Sequence, residues 1–599
     1  MLVYGDVEHF ETIGTRQNAI KSLLSEASRL PPGIERHTAL ATAFICASEL
    51  VQGLVDAEFQ ERGFDARSAI HDAGMEYLSS LARSLEQSWR SGFAQGQPPS
   101  SFFENLLNLD LARTIRVKRA EGHAFYALYP ESYLEAARDS RLGSRTRVIG
   151  IRSIGTGLSS LVAAALDAPP PFTIRPVGHP YHREIRVDPA VTEEFTADKE
   201  MTFAIVDEGP GLSGSSFGAA ADWLEAAGVS RERIHFFPSH NGQLGPQASQ
   251  SHRERWISAP RHVVTMERLL LHAPSPRNLR AWIEDLAGPL SQPLEDISGG
   301  AWRMKRYASE TQWPAANVQH ERRKFLAQVE GSTWLVKFIG LGKTGMEKFK
   351  RAGQLHEAGF TPEVAGFRHG FLVERWHEDS RSLDQAAVDR EWLVEQVGSY
   401  LGFRARHFVA GDDQGASLDE LSHMTLYNVE QALGKTAAAM LEPSLPSHHP
   451  LQGKLRRVAT DNRMHAWEWL VLGQRLIKTD ALDHCVTHDL VGSQDITWDI
   501  AGAVVELGFS DIEARRLCRI VQGKSGHPVF PELLAFMRPC YLAFHLGAHT
   551  MAAEALGEGS EATRLRQAAG RYACLLGEIQ KAAGKPHHVM EEQEEAPAS

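Results

Sequence analysis

Cysteine is scarce in this chain. Five occur in 599 residues, at Cys46, Cys485, Cys518, Cys540 and Cys574, odd in number, widely scattered and without a CxxC pair. That pattern argues against a disulfide framework and against a thiolate zinc site. Positive charge is not in excess either. The 63 Lys and Arg against 75 Asp and Glu leave a formal charge of −12, which argues against a dominant nucleic-acid-binding surface but leaves a local basic groove open. No apolar run of membrane-spanning length stands out, and Met1-Leu-Val-Tyr-Gly-Asp6 does not read as a signal peptide. No membrane partner and a reducing cytoplasm are therefore the expectations. Internal repeats are absent. What is present is an ordinary globular composition, 43% apolar and 23% charged, on a chain too long for one core, so roughly three or four domains are expected.

The texture changes along the chain. Residues 1–119 read as a helical N-terminal region. Ile20, Leu23, Leu24 and Ala27 share one face, and so do Ile70, Ala73, Leu78, Leu81, Ala82 and Leu85. Such a bundle packs on a neighbouring domain or on a second subunit, which makes a homodimer one expectation. From 120 to 245, short apolar runs alternate with helical stretches, the pattern of a parallel α/β sheet. Residues 246–298 are polar and rich in Pro and Ser, and read as a connector. A further unit is expected over 299–585, followed by an acidic, disordered tail over 586–599.

The most informative stretch is Phe203-Ala-Ile-Val-Asp-Glu-Gly-Pro-Gly-Leu-Ser-Gly-Ser-Ser216. Four apolar residues lead into Asp207 and Glu208, then into a loop of small and hydroxyl residues before a helix. A buried parallel strand would deliver two carboxylates and a phosphate cradle to the carboxyl edge of a sheet in this way. Gly211, Leu212, Ser213, Gly214, Ser215 and Ser216 suit an anion at a helix N-terminus. About fifty residues upstream, Val148-Ile-Gly-Ile-Arg-Ser-Ile-Gly-Thr-Gly157 is a second strand running into a glycine turn.

Together these resemble the PRPP-binding site of the type I phosphoribosyltransferases. The resemblance implies that Asp207 and Glu208 accept from the ribose hydroxyls and stabilise charge at the anomeric carbon. It implies that Arg152, Ser153, Ile154 and Gly155 contact pyrophosphate, with Mg²⁺ on the leaving group. His179-Pro-Tyr-His-Arg183 stands where the family carries a mobile loop, and Arg183 would neutralise pyrophosphate there. Pro238-Ser-His-Asn241 is placed to contact a base.

The C-terminal half carries a different series. Lys337 sits alone in the apolar strand Thr333-Trp-Leu-Val-Lys-Phe-Ile339, Glu347 opens a helical stretch ten residues on, and Phe371-Leu-Val-Glu-Arg-Trp376 reads as a strand into a hinge. Asp461 and Asp480 follow, with a strand-turn-strand between them, and then Trp498-Asp-Ile-Ala-Gly502. Phosphate clamp, base and metal ligand in that order are what phosphoryl transfer needs. The series resembles the aminoglycoside phosphotransferase group of kinase-like proteins. That implies ATP at Lys337 and Glu347, catalysis at Asp461 and a metal at Asp480. Ala466 replaces the group's metal-binding asparagine; His465 is expected as a metal residue with Asp480, and Glu468 is also near. Asp480, Asp483, His484, His488 and Asp489 form a cluster that either holds a metal or is a solvated loop.

The expected fold class is thus multidomain α and α/β: a helical region, a phosphoribosyltransferase-type parallel sheet and a kinase-like α+β domain. The expected function is transfer from PRPP, or from a nucleotide, with Mg²⁺, coupled to phosphorylation of a related small molecule. The alternative is a PRPP- or nucleotide-sensing protein whose domains bind without turnover.

Overall fold

A computed structural model of the chain describes residues 1–5, 8–99, 109–211, 213–318, 320–447 and 449–583. Leu212 and the acidic tail lie outside the described residues. The chain forms two compact units. One comprises Asp6–Ser298 and Arg322–Glu378, the other Met1–Gly5, Gly299–Glu321 and Asp379 onward.

The larger unit opens with β1 (Glu8–Thr12), α1 (Ile13–Arg29), α2 (Ile34–Arg62) and α3 (Ala69–Arg90). Thr12 and Ser68 cap α1 and α3 by accepting from the N–H groups of Thr15 and His71. β2 (Thr114–Lys118) pairs antiparallel with β1, a pairing across three helices that the helical periodicity of this region does not announce. α2 is by length and composition apolar enough to cross a membrane, contrary to expectation, but it is mostly buried within the unit. Leu40, Phe44, Ala47, Leu50 and Val51 lie in the core.

Next come α4 (Glu121–Phe125), α5 (Pro130–Asp139), β3 (Thr146–Ile151), α6 (Gly155–Ala165), β4 (Phe172–Ile174), β5 (Val177–His179), β6 (His182–Glu184), α7 (Pro189–Thr196), β7 (Thr202–Val206), α8 (Ser215–Ala226) and β8 (Ile234–Phe237). β4, β3, β7 and β8 form a parallel sheet in that order. Strand residues alternate between two cores. Val148, Ala204 and Val206 join the core of α2, α3 and α6, whereas Ile149, Ile151, Phe203 and Ile205 join that of Phe217, Leu224 and Trp256. Cover on both faces is why these strands are apolar throughout.

Residues 246–298 do not behave as a connector. They form α9 (Gln250–Ser258), α10 (Leu279–Ala287) and β9 (Glu295–Asp296), and bury Trp256, Leu270, Trp282 and Ile283. The next elements are β10 (Lys324–Val329), β11 (Ser332–Phe338), α11 (Gly342–Glu357), β12 (Val364–Arg368) and β13 (Phe371–Arg375), with a sheet in the order β12-β13-β11-β10-β9. A boundary does fall at Gly299, but this sheet belongs to the first unit. Phe325, Val336, Phe338 and Phe371 share one core with α2 and α6, and a continuous core overrides a boundary drawn from sequence texture.

The second unit contains β14 (Arg381–Ser382), α12 (Arg390–His407), α13 (Leu418–Leu433), α14 (Lys435–Leu441), β15 (Arg457–Val458), β16 (Trp469–Leu472), β17 (Arg475–Lys478), β18 (Gln494–Asp495), α15 (Thr497–Glu506), α16 (Asp511–Ser525), α17 (Pro531–Leu556) and α18 (Ser560–Ala583). Complete capping boxes at Ser417/Glu420 and Ser510/Glu513 start α13 and α16. Trp498, Phe536, Tyr541 and Phe544 centre its core.

Candidate functional site

In the parallel sheet, β3 connects outward to β4 on one side, and β7 lies on its other side. The connections therefore diverge at the carboxyl ends of β3 and β7, where open α/β sheets bind ligands. Two loops meet there. Arg152 to Ile154 lead into α6, and Asp207 to Gly214 lead into α8. Closeness explains one glycine: a Cβ on Gly155 would stand 2.7 Å from the Val206 carbonyl oxygen. Conformation explains another, since Gly214 caps α8 with φ 59°, in the left-handed region.

The acid pair sits half-buried in this crevice. Tyr133 Oη donates to the Asp207 carbonyl at 2.8 Å, and the Ser239 N–H donates to the Glu208 carbonyl at 3.0 Å, so both backbones are pinned. Burial pushes the Asp207 carboxyl up to about 7, with Arg175 and Lys118 opposing. It pushes Glu208 up to about 8, reinforced by Asp207 and Glu121. Two crowded acids without a strong counter-charge make a site that gains by receiving a cation or hydroxyl donors.

The cradle has a lid. β5 and β6 form a hairpin, and its Pro180 carbonyl accepts from Ser213 Oγ at 3.2 Å and from Ser215 Oγ at 2.6 Å. Ser216 is half-buried in the first turn of α8. Arg183, on the hairpin, donates to the Gly178 carbonyl at 2.8 Å. Ser153, Ile154 and Gly155 stand at the start of α6, where N–H groups are unpaired by helix geometry.

Arg152 does not point into the crevice, which corrects its assignment as a pyrophosphate contact. Its guanidinium is buried against Asp56 (2.8 Å), Asp65 and the Thr173 carbonyl (3.0 Å), and its N–H donates to the Ile174 carbonyl at 2.9 Å. Arg175 shares Asp56. The basic groups that act on the acid pair are Lys118 and Arg175 instead. They come from β2 and from the residue after β4, and no motif connects them to Asp207 in the sequence.

In the second unit, β16 and β17 form the expected hairpin between Asp461 and Asp480. Asp461 is buried. Its carboxylate accepts from Tyr400 Oη, lies 3.4 Å from Lys478 Nζ and 3.7 Å from Arg404 Nη1. A carboxylate so enclosed is braced within the fold, which corrects its assignment as a substrate-facing base. Asp499 holds the loop from below, accepting from the N–H groups of Asp461 at 2.7 Å and Asn462 at 2.9 Å. Arg404 donates to the Ala459 and Thr460 carbonyls.

Three half-buried groups do converge. Ligand atoms of Glu468, Asp480 and His484 all lie within 4.8 Å of one another. Lys478 Nζ donates to Glu468 at 2.7 Å. Burial pushes Glu468 up, with Lys478 pulling against it, and burial holds His484 well below the usual imidazole range. Asp480 has φ 49°, a conformation that Asp tolerates better than most residues. His465 is elsewhere, which corrects its pairing with Asp480 as a metal ligand. It stacks on Trp467, and its Nδ1 is 3.3 Å from Glu506, a carboxylate that Arg571 also engages at 2.8 Å. Glu468, noted in the sequence only as a neighbour, occupies the place at Asp480 instead.

Lys337 is buried in β11, whereas Glu347 is exposed on α11 with its carboxylate 3.6 Å from Lys343. Both belong to the larger unit.

No family model matches the chain, and no curated protein matches it. Solved structures do. A choline kinase from Streptococcus pneumoniae is 16% identical, covering 42% of this chain and 89% of its own, with a TM-score of 0.29. A spectinomycin phosphotransferase in complex with ADP and spectinomycin is 12% identical, covering 51% and 97%, with a TM-score of 0.34. A choline/ethanolamine kinase family protein from Mesorhizobium loti is 14% identical, covering 43% and 88%, with a TM-score of 0.28.

Proposed function

We propose that the chain is a transferase whose principal site, at the carboxyl ends of β3 and β7, takes PRPP or a nucleotide with Mg²⁺. The observation that carries this reading is the meeting of the two loops with a raised, crowded acid pair at one topological switch point. In this reading the start of α8 and the hydroxyls of Ser213, Ser215 and Ser216 hold the 5-phosphate. Asp207 and Glu208 accept from the ribose hydroxyls and stabilise positive charge developing at the anomeric carbon. The N–H groups of Ser153, Ile154 and Gly155 receive pyrophosphate. Mg²⁺ would neutralise the leaving pyrophosphate, and the acid pair fits a cation because it lacks a close counter-charge. A reducing cytoplasm remains the proposed compartment, on the scattered cysteines.

The test is calorimetry with PRPP and Mg²⁺, followed by pyrophosphate release with a panel of bases. Binding that Asp207→Asn and Glu208→Gln abolish supports the site. Binding without release under any base turns the reading toward a sensor, and no binding overturns it.

A second reading rests on Glu468, Asp480 and His484: a metal-assisted phosphotransfer site with ATP as donor. Glu468 and Asp480 would hold the cation, and Lys478 would balance their charge. ATP consumption lost in Asp480→Ala but retained in Asp207→Asn assigns that activity to the second unit. Equal loss in both variants counts against it.

A further inference from the structure

The larger unit contains a cluster that neither proposed site uses. His37 on α2, Glu131 on α5 and His369 in the turn between β12 and β13 are all buried, with side chains 0% exposed. Their ligand atoms lie within 4.8 Å of one another. His37 Nε2 is 2.9 Å from Glu131 Oε1, and His369 Nε2 is 3.4 Å from the same oxygen.

The outer partners make the arrangement informative. His37 Nδ1 pairs with Ser88 Oγ at 2.9 Å, and His369 Nδ1 pairs with Thr38 Oγ1 at 3.1 Å. Each ring therefore has its outer nitrogen tied to a hydroxyl and its inner nitrogen aimed at one carboxylate, which is how metal-ligating histidines are oriented. Meanwhile Glu131 Oε2 and His369 Nε2 are buried without a hydrogen-bond partner. Buried polar atoms are rarely left unpaired, and an ion between these groups would satisfy both. Ligand atoms around a tetrahedral ion with bonds near 2.1 Å stand about 3.4 Å apart; the His369–Glu131 spacing of 3.4 Å matches this, and the 2.9 Å between His37 and Glu131 would have to open by a few tenths of an ångström to admit the ion. His369 also has φ 38°, and Tyr129 Oη donates to its carbonyl at 2.9 Å, so the turn is held in a conformation that presents the ring inward.

We propose that His37, Glu131 and His369 form a structural site for a divalent transition metal of the zinc type, fastening the β12–β13 turn to α2 and α5. Two imidazoles and a carboxylate favour such an ion over Mg²⁺ or Ca²⁺, which prefer oxygen ligands. The site is separate from the acid pair and from Asp480, so it stands or falls independently of both proposed activities.

The experiment uses the full chain, expressed with Zn²⁺, passed through gel filtration and assayed for metal. A Glu468→Gln/His484→Asn/His545→Asn variant serves as background so that neither second-unit cluster, Glu468–Asp480–His484 or His465–Glu506–His545, contributes. About one equivalent of zinc is expected to remain. Chelator treatment should lower the thermal midpoint, and added Zn²⁺ should restore it. His37→Asn and His369→Asn should lose both the metal and the zinc-dependent shift. Should those variants fail to fold, His369→Cys keeps the question open to measurement. With Co²⁺ it should retain the intense visible bands of a four-coordinate ion and gain a thiolate charge-transfer band. Folded background protein with only trace metal and no thermal response to Zn²⁺ would overturn the proposal. So would a full equivalent surviving His37→Asn and His369→Asn, or a cobalt spectrum unmoved by His369→Cys. In the first case His37 is a hydrogen-bond partner of Glu131, with His369 in ion-pair range of it, and nothing more.

Discussion

Asp207 and Glu208 are consecutive residues with raised carboxyl groups, and the sign of that shift makes predictions. A folded-state value of about 7 for Asp207 and about 8 for Glu208 means that the folded protein holds protons which the unfolded chain has released. Stability at the pair is therefore greatest below the unfolded values and declines as pH rises toward 8. Asp207→Asn and Glu208→Gln are each expected to stabilise the ligand-free protein at pH 8.5 by about 1–2 kcal/mol, allowing for solvent screening, with little effect at pH 5. Thermal unfolding at the two pH values checks this, and a variant less stable than wild type at pH 8.5 contradicts it. On the proposed reading, PRPP affinity should run the other way in the wild type and rise between pH 6 and 9, because the ionised pair is the form that accepts hydroxyls. Asp499 is predicted to matter through the backbone. Asp499→Ala strips two buried N–H groups of their acceptor and should destabilise the second unit by about 2–4 kcal/mol, read by denaturant unfolding. The sequence marks Asp207, Glu208 and Asp480 through their neighbours. It does not mark Lys118 or Arg175, because these reach the acid pair from other elements.

At the scale of elements, the β5–β6 hairpin occupies hydroxyls that a phosphate would need. The Pro180 carbonyl accepts from Ser213 and Ser215, so a phosphate in the proposed site would compete with this closed hairpin for the same donors. Ser213→Ala/Ser215→Ala should release the hairpin, speeding hydrogen exchange over His182–Glu184 several-fold. Unchanged exchange would show that the strand pairing alone holds it. The parallel strands themselves are legible in the sequence, because burial on both faces makes them continuously apolar and a glycine loop follows each of β3 and β7. The β1–β2 pairing is not. Its strands are far apart in sequence, and β1 stands directly before a helix, so local periodicity carries no sign of the pairing.

For the whole molecule, the division into two units differs from the division in sequence texture. The β9–β13 sheet shares its core with α2 and α6. A fragment of residues 1–378 should therefore fold and unfold cooperatively, whereas 1–298 should aggregate or bind hydrophobic dyes. It leaves bare the surface that Phe325, Val336, Phe338 and Phe371 cover, and each such aromatic lost costs about 3–5 kcal/mol against a marginal total. Equal thermal midpoints for the two fragments would refute a common core.

The amino-acid order by itself determined the strands and helices of the parallel sheet, the acid pair with its hydroxyl loop and the Asp461–Asp480 hairpin. These are local, written in runs of about ten residues by periodicity, turn residues and caps. Tertiary structure alone decided that Arg152 is bound to Asp56 and Asp65, that Asp461 is enclosed by Tyr400 and Arg404, and that His37, Glu131 and His369 meet. Those outcomes depend on which distant side chains share a buried space. Competition among partners inside a packed core is not expressed in the spacing of residues along the chain.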